Sequence, residues 1–413
     1  LQGRVREIYR LLFSNHKGVI SVYLNLVEYM NILASLQTVF STSAVYTFTV
    51  GNLIMIGIAI FMIYMSYKHH AEPLLLIPLA FGMMISNIPA VSSGLFAAPS
   101  IVNGVHISGG IMWYIQQGMY TGIYPPLIFL GIGAITDFSF VLASPILFLI
   151  GGAAQIGIMT AFIVAKMIGF NIFQAASIGI IGGADGPTSI FLTSHLAPDI
   201  LGTVAVAAYT YIALIPFIEP PIQKLFTTKK ERRIRMKQAR VVSKKERIIF
   251  PIATTLIAGT LVPKALPLIG MLMLGNLLNE IPLTKRLADT AGHALLDIVE
   301  ILLMLSVGGT TKAETFLTPG TLKVLLLGII AFAASLSGGV LFVKFLNLFL
   351  KNKINPLIGA AGVSAVPDAA RVAQQVAQKE DPHNFILMQA MGPNVAGVIG
   401  SALVAGVFLS MLK

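Results

Sequence analysis

The 413-residue chain contains no cysteine. That excludes a disulfide framework, thiolate metal ligands and a cysteine nucleophile, and it leaves the redox compartment open. Charge is almost as scarce. Asp, Glu, Lys and Arg together make 11% of the chain, against about a quarter in soluble domains. Hydrophobic residues make 56%, and mean hydropathy is +0.83. These values exclude a soluble globular fold and imply an integral membrane protein. Val45–Tyr67, "VYTFTVGNLIMIGIAIFMIYMSY", carries no charge and is long enough to cross a bilayer of about 30 Å as a helix. The polar–apolar alternation of a membrane β-barrel is missing. So are a catalytic triad, an HExxH pair and a Walker-type phosphate loop.

The charge that exists is concentrated. Between Thr227 and Arg247, "TTKKERRIRMKQARVVSKKER" holds ten Lys or Arg and two Glu, a net +8 of the chain's +11. A basic block flanked by spans reads as a cytoplasmic loop under the positive-inside rule. No aromatics interleave it, so no nucleic-acid partner is expected. An acidic partner subunit could also dock there. Ahead of the spans, residues 1–43 mix charged and apolar residues without a signal-peptide layout. Their stretch "SVYLNLVEYMNILASL" fits an amphipathic helix, and no role is assigned to it.

The apolar blocks on the two sides of the basic loop look related. "GIIGGADGP" (Gly179–Pro187) lies over "GAAGVSAVP" (Gly359–Pro367) at an offset of about 180. Gly133 and Thr136 match Gly308 and Thr311, Lys166 matches Lys344, and Gly82 and Pro89 match Gly275 and Pro282. Chance similarity among glycine-rich apolar segments is the alternative. The first span ends at Lys68, so its C-terminal end is expected to be cytoplasmic. Its counterpart begins beside Lys244, Lys245 and Arg247, so its N-terminal end is cytoplasmic. Equivalent spans then run oppositely, as in inverted-repeat transporters, whose sites lie near the midplane at paired helix breaks. The expectation is an all-α polytopic membrane protein, with two inverted-topology repeats whose discontinuous or re-entrant helices meet at a midplane site. The expected divisions are 1–43, a first transmembrane repeat at 44–225, the basic cytoplasmic loop at 226–248, and a second transmembrane repeat at 249–413.

Asp185 lies inside the first break. Gly182, Gly183, Gly186 and Pro187 interrupt helix around it, and backbone freed at membrane depth must be buried in protein or line a wet cavity. A sodium ion held by carbonyl oxygens and one carboxylate would satisfy both. The alternative is that Asp185 only caps a half-helix near water. The second half has Ala365 where Asp185 would map, with Asn355 and Ser364 as uncharged oxygen ligands. Arg371 is a candidate for an anionic substrate group, or a cytoplasmic anchor. Asn394, after another Gly-Pro break, offers an amide oxygen or a helix cap. Tyr211 either presents its hydroxyl to the interior or belongs to an interfacial belt, and Tyr209 faces elsewhere on that helix. Trp113, Tyr114 and Tyr124 read as belt aromatics, His195 as a loop-end residue, and Asp137 as either an interior candidate or a loop residue. On residues alone the reading ends at a cation-coupled transporter.

"GIIGGADGPTSIFL", "NKINPLIGAAGVSAVPDAAR" and "AMGPNVAGVIGS" resemble the β subunit of the sodium-pumping biotin-dependent decarboxylases, which act on oxaloacetate, methylmalonyl-CoA or glutaconyl-CoA. The resemblance runs from about Glu72 to near the C-terminus. It implies a multi-pass protein of the bacterial inner membrane. A biotin-carrying, carboxyltransferring α subunit would deliver carboxybiotin, and this chain would decarboxylate it, consume a proton and export Na⁺. A small membrane γ or δ subunit and a homo-oligomeric assembly are expected. Carried over by position, Asp185, Asn355, Asn394, Ser364 and Gly359 serve Na⁺, Tyr211 and Ser364 handle sodium or the proton, and Arg371 receives the carboxybiotin carboxylate. Asp368 is an extra acid to which no role carries over. The competing expectation is a sodium–carboxylate symporter with no enzyme partner; a non-transporting anchor for a soluble enzyme would leave Asp185 without purpose.

Overall fold

A computed structural model describes residues 47–69, 72–89, 94–102, 104–237 and 239–412. Segment 1–43, with its expected amphipathic helix, lies outside the described residues. Apolar runs bounded by proline or a capping side chain give the helices their limits. α1 (Val50–His69) leads to α2 (Pro73–Ser86), which starts on a proline whose missing N–H costs nothing in a first turn. A small hairpin, β1 (Ser100–Val102) with β2 (Val105–Ile107), turns at Gly104, whose φ of 79° suits glycine. It is an addition to the all-helical expectation.

α3 (Ile111–Tyr120) and α4 (Tyr124–Ile135) meet at a bend of 68°. α5 (Ile146–Ala154) and α6 (Ile156–Met167) form one long apolar span. α7 (Ile172–Gly179) enters the first break, and α8 (Gly186–Leu196) leaves it. α9 (Leu201–Ala213) bends by 66° into α10 (Ile215–Phe226). Beyond the basic loop come α11 (Lys244–Leu261), opened by a Ser243–Glu246 capping box, α12 (Leu266–Glu280) and α13 (Leu296–Thr310). α14 (Pro319–Phe349), α15 (Asp368–Glu380) and α16 (Leu387–Met411) complete the chain. Among the described residues, five helices are long and apolar enough to cross a membrane, or seven spans if each bent pair counts as one.

Two helix crossings are so close that only glycine fits. A Cβ on Gly133 of α4 would lie 1.9 Å from the Leu272 carbonyl oxygen of α12, and one on Gly275 of α12 would lie 2.0 Å from that of Leu130. α2 and α13 cross the same way through Gly82 and Gly308, where the distances to Leu305 O and Leu79 O would be 2.5 and 2.0 Å. Side-chain amides close both crossings. Asn276 Nδ2 donates to Thr136 O at 3.2 Å, and Asn87 Nδ2 donates to Thr311 O at 2.8 Å.

The basic loop is docked. Arg232 forms a 2.7 Å ion pair with Glu380 at the end of α15, and its side chain is only 7% exposed. The Asn355 amide donates to the Arg232 and Ile234 carbonyls, both at 2.9 Å, and Asn384 reaches the same two oxygens.

Candidate functional site

The glycines around Asp185 do what their sequence demands. α7 tightens into one 3₁₀ turn (Ile180–Gly183), Ala184 adopts a left-handed conformation at φ 52°, and Asp185 is extended before α8 restarts. Asp185 Oδ1 caps α8 by accepting from Thr188 N at 3.0 Å. The capping alternative therefore holds geometrically, and the side chain is itself buried. It is 5% exposed, and its Oδ2 accepts from Ser401 Oγ of α16 at 2.6 Å.

The second break folds against the first. Ser364 N donates to Gly183 O at 2.8 Å, and Ser335 Oγ of α14 donates to the neighbouring Gly182 O at 2.5 Å. Asn394, in α16, donates to Val363 O at 2.6 Å and Ala365 O at 3.1 Å. Gln155, between α5 and α6, donates to Gly151 O at 3.1 Å and reaches Gly362 O at 3.4 Å.

Where the breaks meet, a cavity of about 190 Å³ is lined by Asp185, Ala184, Ser364 and Tyr209, with Glu72, Glu300 and Asp368 at other points of its wall. Several buried oxygens nearby have no hydrogen-bond partner: Ser364 Oγ, Asn394 Oδ1, Gln155 Oε1 and Tyr209 OH. Buried polar atoms are normally satisfied. A carboxylate, unpartnered neutral oxygens and unwound backbone are the donor set with which broken-helix transporters hold Na⁺. The residues present fit that cargo.

The expected site residues do not all gather in this cavity. Asp185 and Ser364 line it, and Asn394 holds the backbone on either side of Ser364. Asn355 instead clamps the basic loop, and its Oδ1 accepts from Leu357 N. Gly359 packs against Gly339 of α14, where an added Cβ would lie 2.1 Å from Gly339 O. The Tyr211 hydroxyl donates to Leu325 O of α14, and its ring lies over Gly328. Tyr209, two residues earlier, is the tyrosine in the cavity. Arg371, in the first turn of α15, is 3.5 Å from Asp368, with its side chain 63% exposed. Asp137 is exposed and accepts from Ser139 N at 2.8 Å, and His195 lies at the end of α8 with Nδ1 on Phe191 O.

Ser401, Gln155, Ser335 and Tyr209 went unremarked as site residues in the sequence. Ser401 and Gln155 sit in ordinary apolar helical surroundings, and no local pattern sets them apart. Tyr209 carried a signal, since a break residue as small as Gly186 leaves room for a ring: a Cβ there would lie 2.3 Å from Tyr209 Cζ.

A family profile described as "Na+-transporting oxaloacetate decarboxylase beta subunit" matches residues 51–412. The chain is 49% identical to the methylmalonyl-CoA decarboxylase subunit beta of Propionigenium modestum, over 92% of this chain and 99% of that protein. It is 48% identical to the glutaconyl-CoA decarboxylase subunit beta of Acidaminococcus fermentans, over 92% and 98%. With the oxaloacetate decarboxylase beta chain of Haemophilus ducreyi it shares 43% identity, over 92% and 99%.

Proposed function

Because the chain belongs to the family of β subunits of Na⁺-transporting decarboxylases, we propose that it removes CO₂ from carboxybiotin and couples this to Na⁺ export and proton consumption. A biotin-carrying α subunit presents the carboxybiotin, and a small γ or δ subunit and further copies of this chain complete the assembly. The basic loop at 226–248 is the surface suited to an acidic partner.

One observation carries the reading: the Ser364–Gly183 hydrogen bond joins the two breaks beside the buried Asp185. Na⁺ bound at Asp185, with Ser364 and Asn394 supplying neutral oxygens, is held by both halves at once. Gly359 lets the second break approach α14, and Asn355 fixes its entry, so these two act on the ion through the backbone. Arg371, exposed at the start of α15, receives the substrate carboxylate. Tyr211 ties α9 to α14, and with Ser364 it links proton or sodium handling to helix movement. Export costs about 2.3 kcal/mol per charge per 100 mV, so decarboxylation without ion movement must be forbidden. An ion site shared by two moving halves can enforce that.

The repeats at 44–225 and 249–413 are inverted copies. In support, the sequence correspondence of Gly82 with Gly275 and of Gly133 with Gly308 converts one glycine crossing into the other, and the corresponding Thr136 and Thr311 each offer a carbonyl to a side-chain amide, of Asn276 and Asn87.

The test is decarboxylation of free carboxybiotin by the purified assembly, with and without Na⁺. Sodium-dependent turnover lost in Asp185→Asn is expected. No turnover, with Na⁺-driven carboxylate uptake into liposomes, would replace this reading by the symporter.

A further inference from the structure

Two acids that the ion site leaves unused, Asp368 and Glu72, lie beside Arg371, and a third, Glu219, feels the charge of Asp368. Asp368 lies 3.5 Å from Arg371 Nη1. Glu72, at the start of α2, is within side-chain hydrogen-bonding reach of Asp368, and both line the cavity that holds Asp185 and Ser364. Glu219 of α10 is fully buried. Its Oε1 accepts from Gln223 Nε2 at 2.6 Å, its Oε2 has no partner, and Asp368 is the charge that acts on it.

One guanidinium cannot neutralise both carboxylates, and two carboxyl groups can hydrogen-bond only if one of them carries a proton. Glu72 lies between α1 and α2, outside the spans. Burial pushes it up to about 8, helped by the hydrogen bond and charge of Asp368 and by the charge of Glu300 on α13, while Arg371 pulls it down. Tyr209 of α9 and Asp185 are the other titratable groups on this wall. Among the described residues no three of His, Cys, Asp and Glu come together to hold a metal ion. A proton is the cation this pair suits.

We propose that the Glu72–Asp368 pair donates the proton that carboxybiotin decarboxylation consumes, a role that rests on the carboxylate-binding role given to Arg371 above. With the carboxylate on Arg371, the adjoining ureido nitrogen sits one bond away from it. The C–N bond breaks, CO₂ leaves, and the electron pair stays on that nitrogen. The proton of the pair then forms the new N–H. The half-buried pair regains a proton from water entering beside the exposed Arg371 side chain.

The experiment compares the complete assembly, wild type, with Glu72→Gln and Glu72→Asp. It reads decarboxylation of free carboxybiotin against pH and, separately, radioactive Na⁺ binding. Glu72→Gln is expected to slow turnover on the order of 100-fold, the usual worth of a general acid, and to lose the wild-type decline in rate near pH 8. Na⁺ binding stays unchanged, and Glu72→Asp restores part of the rate. A wild-type rate and pH profile in Glu72→Gln overturns the proposal, as does a parallel loss of Na⁺ binding and turnover. Should Glu72→Gln not fold, infrared spectra of the wild-type assembly decide: a carboxylic-acid C=O band that titrates away near pH 8 supports the pair, and its absence sinks it. A wild-type assembly inactive on carboxybiotin overturns the functional reading itself, an outcome distinct from all of these.

Discussion

The backbone N–H of Ser364 donates to the carbonyl of Gly183 at 2.8 Å. The two residues lie far apart in sequence, yet each sits at an unwound break between helices. The bond satisfies a carbonyl that the first break frees and an N–H that the second frees, so neither break can relax alone. It also fixes Ser364 Oγ, which has no partner of its own, at the edge of the Asp185 cavity. The backbone around Asp185 thereby depends on both breaks, and in the proposed transport cycle a movement of one against the other would have to remake it.

Asp185→Asn is expected to abolish both Na⁺ transport and decarboxylation, since it removes the carboxylate that the first break itself carries. Ser401→Ala is the milder companion. Its hydroxyl orients Asp185 Oδ2 at 2.6 Å, and a hydrogen bond to a charged group contributes about 1.5–3 kcal/mol. The Na⁺ concentration for half-maximal decarboxylation should rise about tenfold or more, with the maximal rate largely kept. An Asp185→Asn assembly retaining sodium-stimulated turnover would remove Asp185 from the coupling.

The glycine crossings predict a sharp positional contrast. Gly133→Ala and Gly275→Ala each push a Cβ to about 2 Å from a backbone carbonyl oxygen, which cannot swing away as a side chain could. Each should cost at least the 1–3 kcal/mol typical of overpacking. Gly57→Ala in α1 meets nothing within 4 Å and should be neutral or slightly stabilising. Thermal unfolding in detergent, with the three variants side by side, measures this.

Much of this was legible because the sequence signals were local. Scarce charge and long apolar runs announced spans, the basic loop announced itself, and "GGADGP" spelled a break because glycine and proline act on their own backbone. The acid at that break was readable too, since a carboxylate amid apolar residues needs a reason. The partners of the break were not legible. Ser401, Gln155 and Ser335 are ordinary polar residues in apolar surroundings, and only the packing of the helices brings them to Asp185, Gly362 and Gly182 respectively. Asn355 shows the same limit from the other side. Its residue type and motif were clear, but its amide is committed to the Arg232 and Ile234 carbonyls, a contact made across more than a hundred residues.

Asn394 makes a prediction about architecture rather than charge. Its amide satisfies the carbonyls of Val363 and Ala365, on either side of Ser364. Asn394→Ala leaves these buried acceptors unsatisfied, at about 1–3 kcal/mol each. Thermal stability should fall, and so should apparent Na⁺ affinity, because Ser364 loses its position. Asn394→Asp should be no better, since a carboxylate presents acceptors to acceptors. A variant that binds Na⁺ normally at wild-type stability would contradict this assignment.

The docked loop predicts a pH response whose sign follows from its acids. Arg232 holds Glu380 below the usual carboxylate range, and Arg235 does the same for Asp381. An acid depressed in the folded state stabilises it fully above the unfolded value, about 4, and loses that contribution as pH falls through the depressed folded value. Docking should therefore be insensitive to pH around neutrality and weaken only under strong acid. Removing the cation mimics acid at neutral pH. Arg232→Ala should raise amide hydrogen exchange across residues 227–236 and open them to trypsin, and Glu380→Gln should do so more weakly. Release of the loop also frees the Asn355 amide from its two carbonyls, so the same variants should bind Na⁺ less tightly. If the loop opens and Na⁺ affinity does not move, then Asn355 serves the loop alone and has no part in the ion site.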